Sequence, residues 1–127
     1  MVGIVLVSHS SELARGLADL ASQVAGPEVR IEAAGGGPEG TLGTSGEVVR
    51  GAIDRADSGD GVVVLADLGS SILTVRHLLD GLPNGHVRLA DAPLVDGAVA
   101  AAVTSSAGQS LEVVLQAAEE ARGARKL

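Results

Sequence analysis

The sequence contains no cysteine and no phenylalanine, tyrosine or tryptophan. The absence of cysteine excludes thiol catalysis, cysteine-ligated metal sites and disulfide bonds. Without aromatic side chains, the core has to be built from valine, leucine, isoleucine and alanine. A chain of 127 residues corresponds to about one domain, which buries roughly two-thirds of the surface of its unfolded chain and needs no metal or disulfide to fold. We therefore expect a single domain over residues 1–127.

Basic residues are scarce. The chain has 9 lysines and arginines against 16 acidic residues, which gives a net charge of −7. The only lysine, Lys126, lies near the C-terminus, and no basic cluster precedes Arg122. Nucleic-acid binding depends on many basic contacts that release counterions, so this class of function is not expected.

Long apolar stretches are missing as well. No run approaches 18 consecutive apolar residues, so no membrane-spanning helix is expected. The first residues lack the charged n-region and the long h-region of a signal peptide. We therefore expect a soluble, cytoplasmic protein without membrane contact.

Two short apolar runs rich in β-branched residues, 2–7 and 62–66, are typical of strands buried on both faces of a parallel sheet. Weaker strand patterns occur at 29–33 and 86–89. Apolar residues recur at helical spacing over 13–24, 47–56, 72–79, 94–105 and 111–121. The alternation predicts a three-layer α/β fold, in which a mostly parallel central sheet of four to five strands carries helices on both faces. The tail 123–127 is expected to be frayed.

Cap and turn residues mark the predicted ends of these helices. Ser10 or Ser11 is expected to cap the first helix, and Thr44 or Ser45 the second. The predicted apolar face of the first helix consists of Leu13, Leu17, Leu20, Ala21 and Val24. The stretch 34–46 is too rich in glycine for a regular element and is predicted to be a loop.

The two strongest strands each end in an ionisable residue, the first at His9 and the third at Asp67. Ligands of open α/β sheets bind at the carboxyl ends of the strands, and neighbouring strands lie about 5 Å apart. If the two strands are neighbours, Asp67 accepts a hydrogen bond from one ring nitrogen of His9 and leaves the other as a nucleophile. We interpret Nδ1 as the donor to Asp67 and Nε2 as the nucleophile; the opposite assignment is equally compatible with the sequence.

Three predicted helix starts lie around the His9 and Asp67 side chains. Their unpaired N–H groups and positive dipole ends suit a phosphoryl group. The candidate phosphoryl-binding residues at these starts are Ser10, Ser11, Thr44, Ser45, Gly69, Ser70 and Ser71. The arrangement suits reversible phosphorylation of an imidazole, with a covalent phosphohistidine instead of a cofactor and without a metal. The glycine-rich loop lacks the G-K-[S/T] signature of an ATP-binding P-loop.

Structural explanations exist for some of the same residues. Asp67 is also a suitable cap for the third helix, and residues 35–46 are also explained as a simple connection. His77 is predicted to lie on a helix surface, and His86 to open a short strand.

Four segments carry a family resemblance: IVLVSHSS at 4–11, GTS at 43–45, ADLGSS at 66–71 and DAPLVDGA at 91–98. In these segments the sequence resembles the mannose-type IIA (EIIA) phosphocarriers of the phosphoenolpyruvate-dependent phosphotransferase system (PTS). It is most similar to the branch that serves dihydroxyacetone kinases, and the resemblance covers nearly the whole chain.

The resemblance implies a phosphotransferase subunit. A histidine in the position of His9 accepts a phosphoryl group from the phosphocarrier protein HPr. It passes the group to ADP bound on the subunit DhaL, which acts together with DhaK on dihydroxyacetone. The resemblance also implies that Asp67 orients the histidine and that the protein is a homodimer. HPr-like and enzyme-I-like domains, which some relatives carry, are missing from this sequence, so a separate donor protein is expected.

Two other functions stay open at this point. The chain also suits a mannose-type IIA component of a sugar-transporting permease. A non-catalytic sensor or scaffold that binds a small anion at the same edge, with His9 as a hydrogen-bond donor, belongs to a different class.

Overall fold

The structure, a computed structural model, describes residues 1–37, 42–83 and 85–127. Strands and helices alternate along the chain, as the sequence predicts. The strands are β1 (Gly3–Ser8), β2 (Ile31–Gly35), β3 (Val62–Ala66) and β4 (Val87–Leu89). The helices are α1 (Ser11–Ala25), α2 (Gly46–Ala56), α3 (Gly69–Leu79), α4 (Leu94–Ser106) and α5 (Leu111–Glu120), followed by a 3-10 turn at Ala121–Gly123. Among the helices of the described ranges, none combines the length and the apolar character that a membrane crossing requires.

The four described strands form one sheet in the order β2-β1-β3-β4, and every pairing among them is parallel. All residues of β1 are buried, and Val7 near its end is paired with Ala34 of β2 and Ala66 of β3. Because β1 and β3 are parallel neighbours, the residues that follow them, His9 and Asp67, leave the same edge of the sheet side by side.

Helices cover both faces of the sheet, which confirms the predicted three layers. On one face, α1, α4 and α5 pack against Ile4, Leu6 and Leu65. On the other face, α2 and α3 pack against Val5 and Val7. Successive side chains of a strand point to opposite faces, so the continuous apolar run of β1 supplies both halves of the core.

The position of β2 corrects the sequence prediction, which placed this strand at 29–33 and a loop from residue 34. The strand ends at Gly35 because pairing with β1 sets its register. A glycine is required there because α1 passes close by. A Cβ added at Gly35 would lie 2.6 Å from the Cα of Ser11 and 2.7 Å from the backbone oxygen of Ser10. Residues 38–41 of the predicted loop lie outside the described residues.

The buried face of α1 matches the predicted apolar face in part, at Leu17 and Ala21. Its buried residues are Ala14, Leu17 and Ala21, because the close contact with Gly35 centres the buried face on small side chains. The other three residues of the predicted apolar face, Leu13, Leu20 and Val24, are 45–46% exposed.

The helix α3 begins at Gly69, three residues before the predicted start. The backbone N–H of Ile72 already donates to the carbonyl of Leu68. As a result, Ser70 and Ser71 belong to the first turn of α3 rather than to a loop before it.

Candidate active site

His9 lies between the end of β1 and the start of α1, and both of its backbone polar groups are fixed. Its N–H donates to Oδ2 of Asp67 at 3.1 Å, and its carbonyl oxygen accepts from the N–H of Gly43 at 3.1 Å. The side chain is 23% exposed, so the ring is held in place but reachable from solvent.

Asp67 contacts the ring of His9 directly. Its Oδ1 lies 3.2 Å from Nδ1 of His9. Oδ1 also accepts from the N–H of Leu68 at 2.8 Å and from the hydroxyl of Ser71 at 3.0 Å. Oδ2 accepts from the hydroxyl of Ser8 at 2.8 Å and from the N–H of His9. The carboxylate is thus held at both oxygens, and the predicted neighbourhood of His9 and Asp67 is present.

These contacts decide the charge of Asp67. Burial alone raises the pKa of a carboxyl group, because it disfavours the charged form. The hydrogen bonds from Ser8, from the His9 backbone and from Ser71 act more strongly together, and they lower the pKa of Asp67 to about 2. The side chain is therefore a carboxylate at neutral pH and accepts hydrogen bonds only.

The two serines of the first α3 turn contact different nitrogens of His9. The hydroxyl of Ser70, which is exposed, contacts Nε2. The hydroxyl of Ser71, which is fully buried, lies 3.0 Å from Nδ1. Thr44 lies behind Ser71, with its Oγ1 2.8 Å from the Ser71 oxygen.

The other predicted phosphoryl-binding residues lie at helix starts without touching the ring. The hydroxyls of Ser10 and Ser45 cap their own helices, α1 and α2, by accepting from the N–H of Leu13 and Val48. These two caps are among the alternatives that the sequence offers. Ser11 and Gly69 open α1 and α3. None of Ser10, Ser11, Thr44, Ser45 and Gly69 makes a hydrogen bond to His9 within the described part of the chain.

Ser8 is a further residue of the candidate site, and the sequence pattern does not single it out. It is 1% exposed and joins three elements, because its hydroxyl donates to Asp67 and accepts from the N–H of Ser10 at 3.0 Å. The feature of the sequence that points to Ser8 is its hydroxyl, which comes last in a strand whose other residues are almost all apolar. A buried polar side chain of this kind needs a partner, and the partner is Asp67.

The two other histidines lie away from this edge. His77 is exposed on α3, as predicted. His86 precedes β4, and its Nε2 lies 2.9 Å from Oδ2 of Asp57, the C-cap residue that follows α2. Within residues 1–37, 42–83 and 85–127, no three histidine or acidic side chains are grouped so that they could hold a metal ion.

The geometry favours one tautomer of His9. A carboxylate at 3.2 Å from Nδ1 is stabilised by an N–H there, whereas a lone pair on Nδ1 would be repelled. With the proton on Nδ1, Nε2 carries its lone pair toward the solvent side and accepts from Ser70. This arrangement suits a nucleophilic imidazole that a carboxylate holds in place.

Comparison with known proteins gives the family. Residues 3–115 match the sequence profile of EIIA-man, described as "PTS system fructose IIA component". The chain belongs to the EIIA-man family. This confirms the resemblance that the four sequence segments carry.

Curated relatives of this EIIA-man chain bear the name DhaM. The "PEP-dependent dihydroxyacetone kinase 2, phosphoryl donor subunit DhaM" of Listeria innocua is 37% identical over 119 residues, covering 91% of this chain and 95% of the relative. The "PEP-dependent dihydroxyacetone kinase, phosphoryl donor subunit DhaM" of Pantoea ananatis is 39% identical over 132 residues. That match covers 99% of this chain but 28% of the relative, which is a much longer protein.

Solved structures share the fold. A crystal structure of a protein of unknown function is 35% identical and has a TM-score of 0.80 over 94% of each chain. The EIIA component from Streptococcus agalactiae has a TM-score of 0.72 over 99% of this chain and 97% of its own, at 16% identity. At that identity the likeness concerns the fold alone, and it confirms the predicted mannose-type EIIA architecture.

Proposed function

We propose that this chain is the phosphoryl donor subunit of a dihydroxyacetone kinase and that His9 carries the phosphoryl group. The observation that carries the proposal is the His9 ring, whose Nδ1 faces the Asp67 carboxylate and whose Nε2 contacts the exposed hydroxyl of Ser70. The names of the DhaM relatives support the choice of kinase.

In the first step the Nε2 lone pair attacks the phosphorus atom of phosphorylated HPr. A new N–P bond forms, and the bond between phosphorus and the leaving atom of HPr breaks with its electron pair going to HPr. The proton on Nδ1 of His9 stays in place, so no proton is lost or gained. The phosphoryl group arrives from an activated donor, so the step needs positioning and charge stabilisation rather than a cofactor.

Asp67 stabilises the product of this step. A ring that is protonated at Nδ1 and phosphorylated at Nε2 carries a formal positive charge. The carboxylate beside Nδ1 offsets that charge, and it does so throughout the neutral range because its pKa is about 2. The same contact keeps the ring from rotating between the two transfers.

Ser70 and the start of α3 form the surroundings of the phosphoryl group in this scheme. The Ser70 hydroxyl, which contacts Nε2, moves aside and donates to a phosphoryl oxygen. The first N–H groups of α3, at Gly69 and Ser70, have no partner inside the helix and suit an anion. The start of α1, at Ser11, contributes a second positive helix end.

In the second step the phosphoryl group passes from Nε2 to a terminal phosphate oxygen of ADP bound on DhaL. The N–P bond breaks, and its electrons return to Nε2 as the lone pair. ATP formed on DhaL then serves DhaK-bound dihydroxyacetone. Exchange with HPr and DhaL requires that these proteins share the cytoplasm with this chain.

We further propose that the protein is a homodimer that joins through α1 and α4. These helices pack side by side, and Leu13, Leu20 and Val95 line one groove between them. All three are at least 45% exposed. Two partner proteins have to reach the His9 edge, which leaves this apolar face for a second copy of the chain.

The test supplies phosphoenolpyruvate, enzyme I and HPr, and then offers DhaL with ADP together with DhaK and dihydroxyacetone. We expect dihydroxyacetone phosphate to form only when this chain is present. Asp67→Asn should slow formation roughly 10–100-fold, as removing an orienting partner does in other sites. The matched control is Asp54→Asn, on the exposed side of α2, and it should keep the wild-type rate.

Two outcomes would replace the proposal. Transfer to a sugar permease component but never to ADP on DhaL would indicate the mannose-type transport function. A chain that binds anions but never becomes phosphorylated would indicate a sensor or scaffold.

A further inference from the structure

We propose that Thr44 and Ser71 are positioning residues that fix the tautomer of His9, rather than phosphoryl-binding residues as the sequence pattern suggests. The two hydroxyls form a chain behind the ring, from Thr44 through Ser71 to Nδ1 of His9 and Oδ1 of Asp67. Their effect on phosphoryl transfer rests on the proposed function, whereas their effect on the tautomer does not.

Ser71 has one hydroxyl proton and three polar neighbours. Its oxygen lies 2.8 Å from Thr44 Oγ1, 3.0 Å from His9 Nδ1 and 3.0 Å from Asp67 Oδ1. The carboxylate only accepts hydrogen bonds, so the Ser71 proton points to Asp67. The two lone pairs of Ser71 then remain for Thr44 and for His9.

The direction of the Ser71 hydrogen bond decides the tautomer of His9. With the Ser71 proton on Asp67, Nδ1 faces a lone pair of Ser71 and an oxygen of Asp67, and an Nδ1–H satisfies both acceptors. In the other tautomer, Nδ1 would need the Ser71 proton. The Ser71 oxygen would then face Asp67 Oδ1 at 3.0 Å without a proton between them, which is costly at a buried position.

Thr44 contacts the Ser71 hydroxyl on the side away from His9 and Asp67. When its hydroxyl donates to Ser71, the Ser71 proton is not used on Thr44 and is left for Asp67 or Nδ1 of His9, of which the charged carboxylate is the stronger acceptor. The position of Thr44 is fixed by its backbone, which bridges to Gly36 beside β2 and precedes the cap Ser45 of α2. Three segments that follow β1, β2 and β3 thus meet in one hydrogen-bond network.

The burial of Ser71 also argues against a phosphoryl-binding role for its hydroxyl. Ser71 is 0% exposed and its hydrogen-bonding capacity is used by Thr44, His9 and Asp67. A phosphoryl oxygen would have to displace one of these partners. Ser70, in contrast, is exposed and contacts Nε2, the proposed site of phosphorylation.

The test reads the tautomer directly. ¹⁵N chemical shifts of the ring nitrogens are recorded on protein labelled at histidine, at about pH 8.5, where an ordinary imidazole is neutral. The His9 signals are assigned with His9→Gln. The variant is Thr44→Val, which replaces the hydroxyl by a methyl group of similar size. Thr44→Ser keeps the hydroxyl, and Thr104→Val makes the same chemical change on α4, where the hydroxyl donates to the carbonyl of Ala100.

We expect the wild type, Thr44→Ser and Thr104→Val to hold the proton on Nδ1. Thr44→Val should move a measurable fraction of the ring to the Nε2–H tautomer. It should also lower kcat for phosphorylation by HPr roughly tenfold with little change in KM. If Thr44→Val does not fold, Ser71→Ala gives the same reading.

A wild-type tautomer ratio in Thr44→Val would overturn the inference, even if the rate falls, because a lower rate alone fits phosphoryl binding. The proposed function is tested separately by the phosphorylation measurement. If HPr never phosphorylates the wild type while the tautomer shifts as expected, the positioning role stands and the proposed function is wrong. If HPr does phosphorylate it and the tautomer stays, only the positioning role is wrong.

Discussion

The hydroxyl of Ser8 donates to Oδ2 of Asp67 at 2.8 Å, and this contact joins the end of β1 to the residue that follows β3. The same hydroxyl accepts from the N–H of Ser10, the cap of α1. His9 lies between Ser8 and Ser10, so its backbone on both sides is connected to the carboxylate that faces its ring. The orientation of His9 is therefore set by the backbone and the side chains together.

The first prediction concerns Ser8. Ser8→Ala removes a buried hydroxyl and leaves the N–H of Ser10 and one oxygen of Asp67 short of a partner. We expect the free energy of unfolding to fall by about 1–3 kcal/mol in urea denaturation. The control is Ser58→Ala, whose exposed hydroxyl donates to the backbone of Met1 and should matter by less than about 0.5 kcal/mol. Equal effects of the two substitutions would contradict the assigned role of Ser8.

The second prediction concerns acid stability. Hydrogen bonds lower the pKa of Asp67 to about 2 in the folded protein, against an ordinary value near ~3.9 in an unfolded chain. A group whose pKa is lowered by folding stabilises the protein above its unfolded value, and this contribution is lost as the pH falls through the folded value.

The stability difference between the wild type and Asp67→Asn should therefore be constant above about pH 5 and shrink between about pH 4 and pH 2. Asparagine does not titrate, so the comparison cancels other acidic groups such as Asp57, whose pKa is lowered by its bonds to Gly59 and His86. Denaturation curves at several pH values measure the difference. A difference that does not depend on pH would show that Asp67 is not held as described.

The third prediction concerns the contact between α1 and β2. Gly35→Ala places a methyl group 2.6 Å from the Cα of Ser11, where the backbone has to move. We expect a loss of at least about 2 kcal/mol in stability, of the size that overpacking causes. Gly51→Ala is the control within α2, where an added Cβ meets the flexible end of the Arg55 side chain, and it should stabilise by up to about 1 kcal/mol. If both substitutions are tolerated alike, the close approach is not real.

The fourth prediction concerns the proposed homodimer. Leu20→Glu adds a charge to the apolar face of α1 and α4, and sedimentation should then detect a monomer at concentrations where the wild type is a dimer. Val113→Glu changes an apolar residue of similar exposure on α5 and should leave the dimer intact. A monomeric wild type would exclude this part of the proposal, and a dimeric Leu20→Glu would place the interface on another surface.

The sequence predicted the strands that depend on local pattern better than the strand that depends on pairing. The predicted strand at 62–66 coincides with β3, because its β-branched run is buried on both faces. β2 lies two residues further along the chain than the predicted strand. Its register is set by pairing with β1, and its last residue is a glycine because α1 packs closely against it. No pattern within residues 29–35 contains that information.

The same distinction applies to the candidate site. His9 and Asp67 could be paired from the sequence, because each follows a strongly predicted parallel strand. The different contacts of Ser70 and Ser71 could not be predicted, since they depend on α3 beginning at Gly69. In the first helical turn, consecutive side chains point in different directions, so one serine reaches Nε2 and the next is buried beside Nδ1.

The most direct measurement is the intact mass of the protein after incubation with phosphoenolpyruvate, enzyme I and HPr. We predict that the wild type, His77→Gln and His86→Gln gain the mass of one phosphoryl group, that the gain is acid-labile, and that it disappears when DhaL with ADP is added. His9→Gln should gain nothing. A wild type that stays unmodified, or a His9→Gln variant that is phosphorylated like the wild type, would contradict the role assigned to His9.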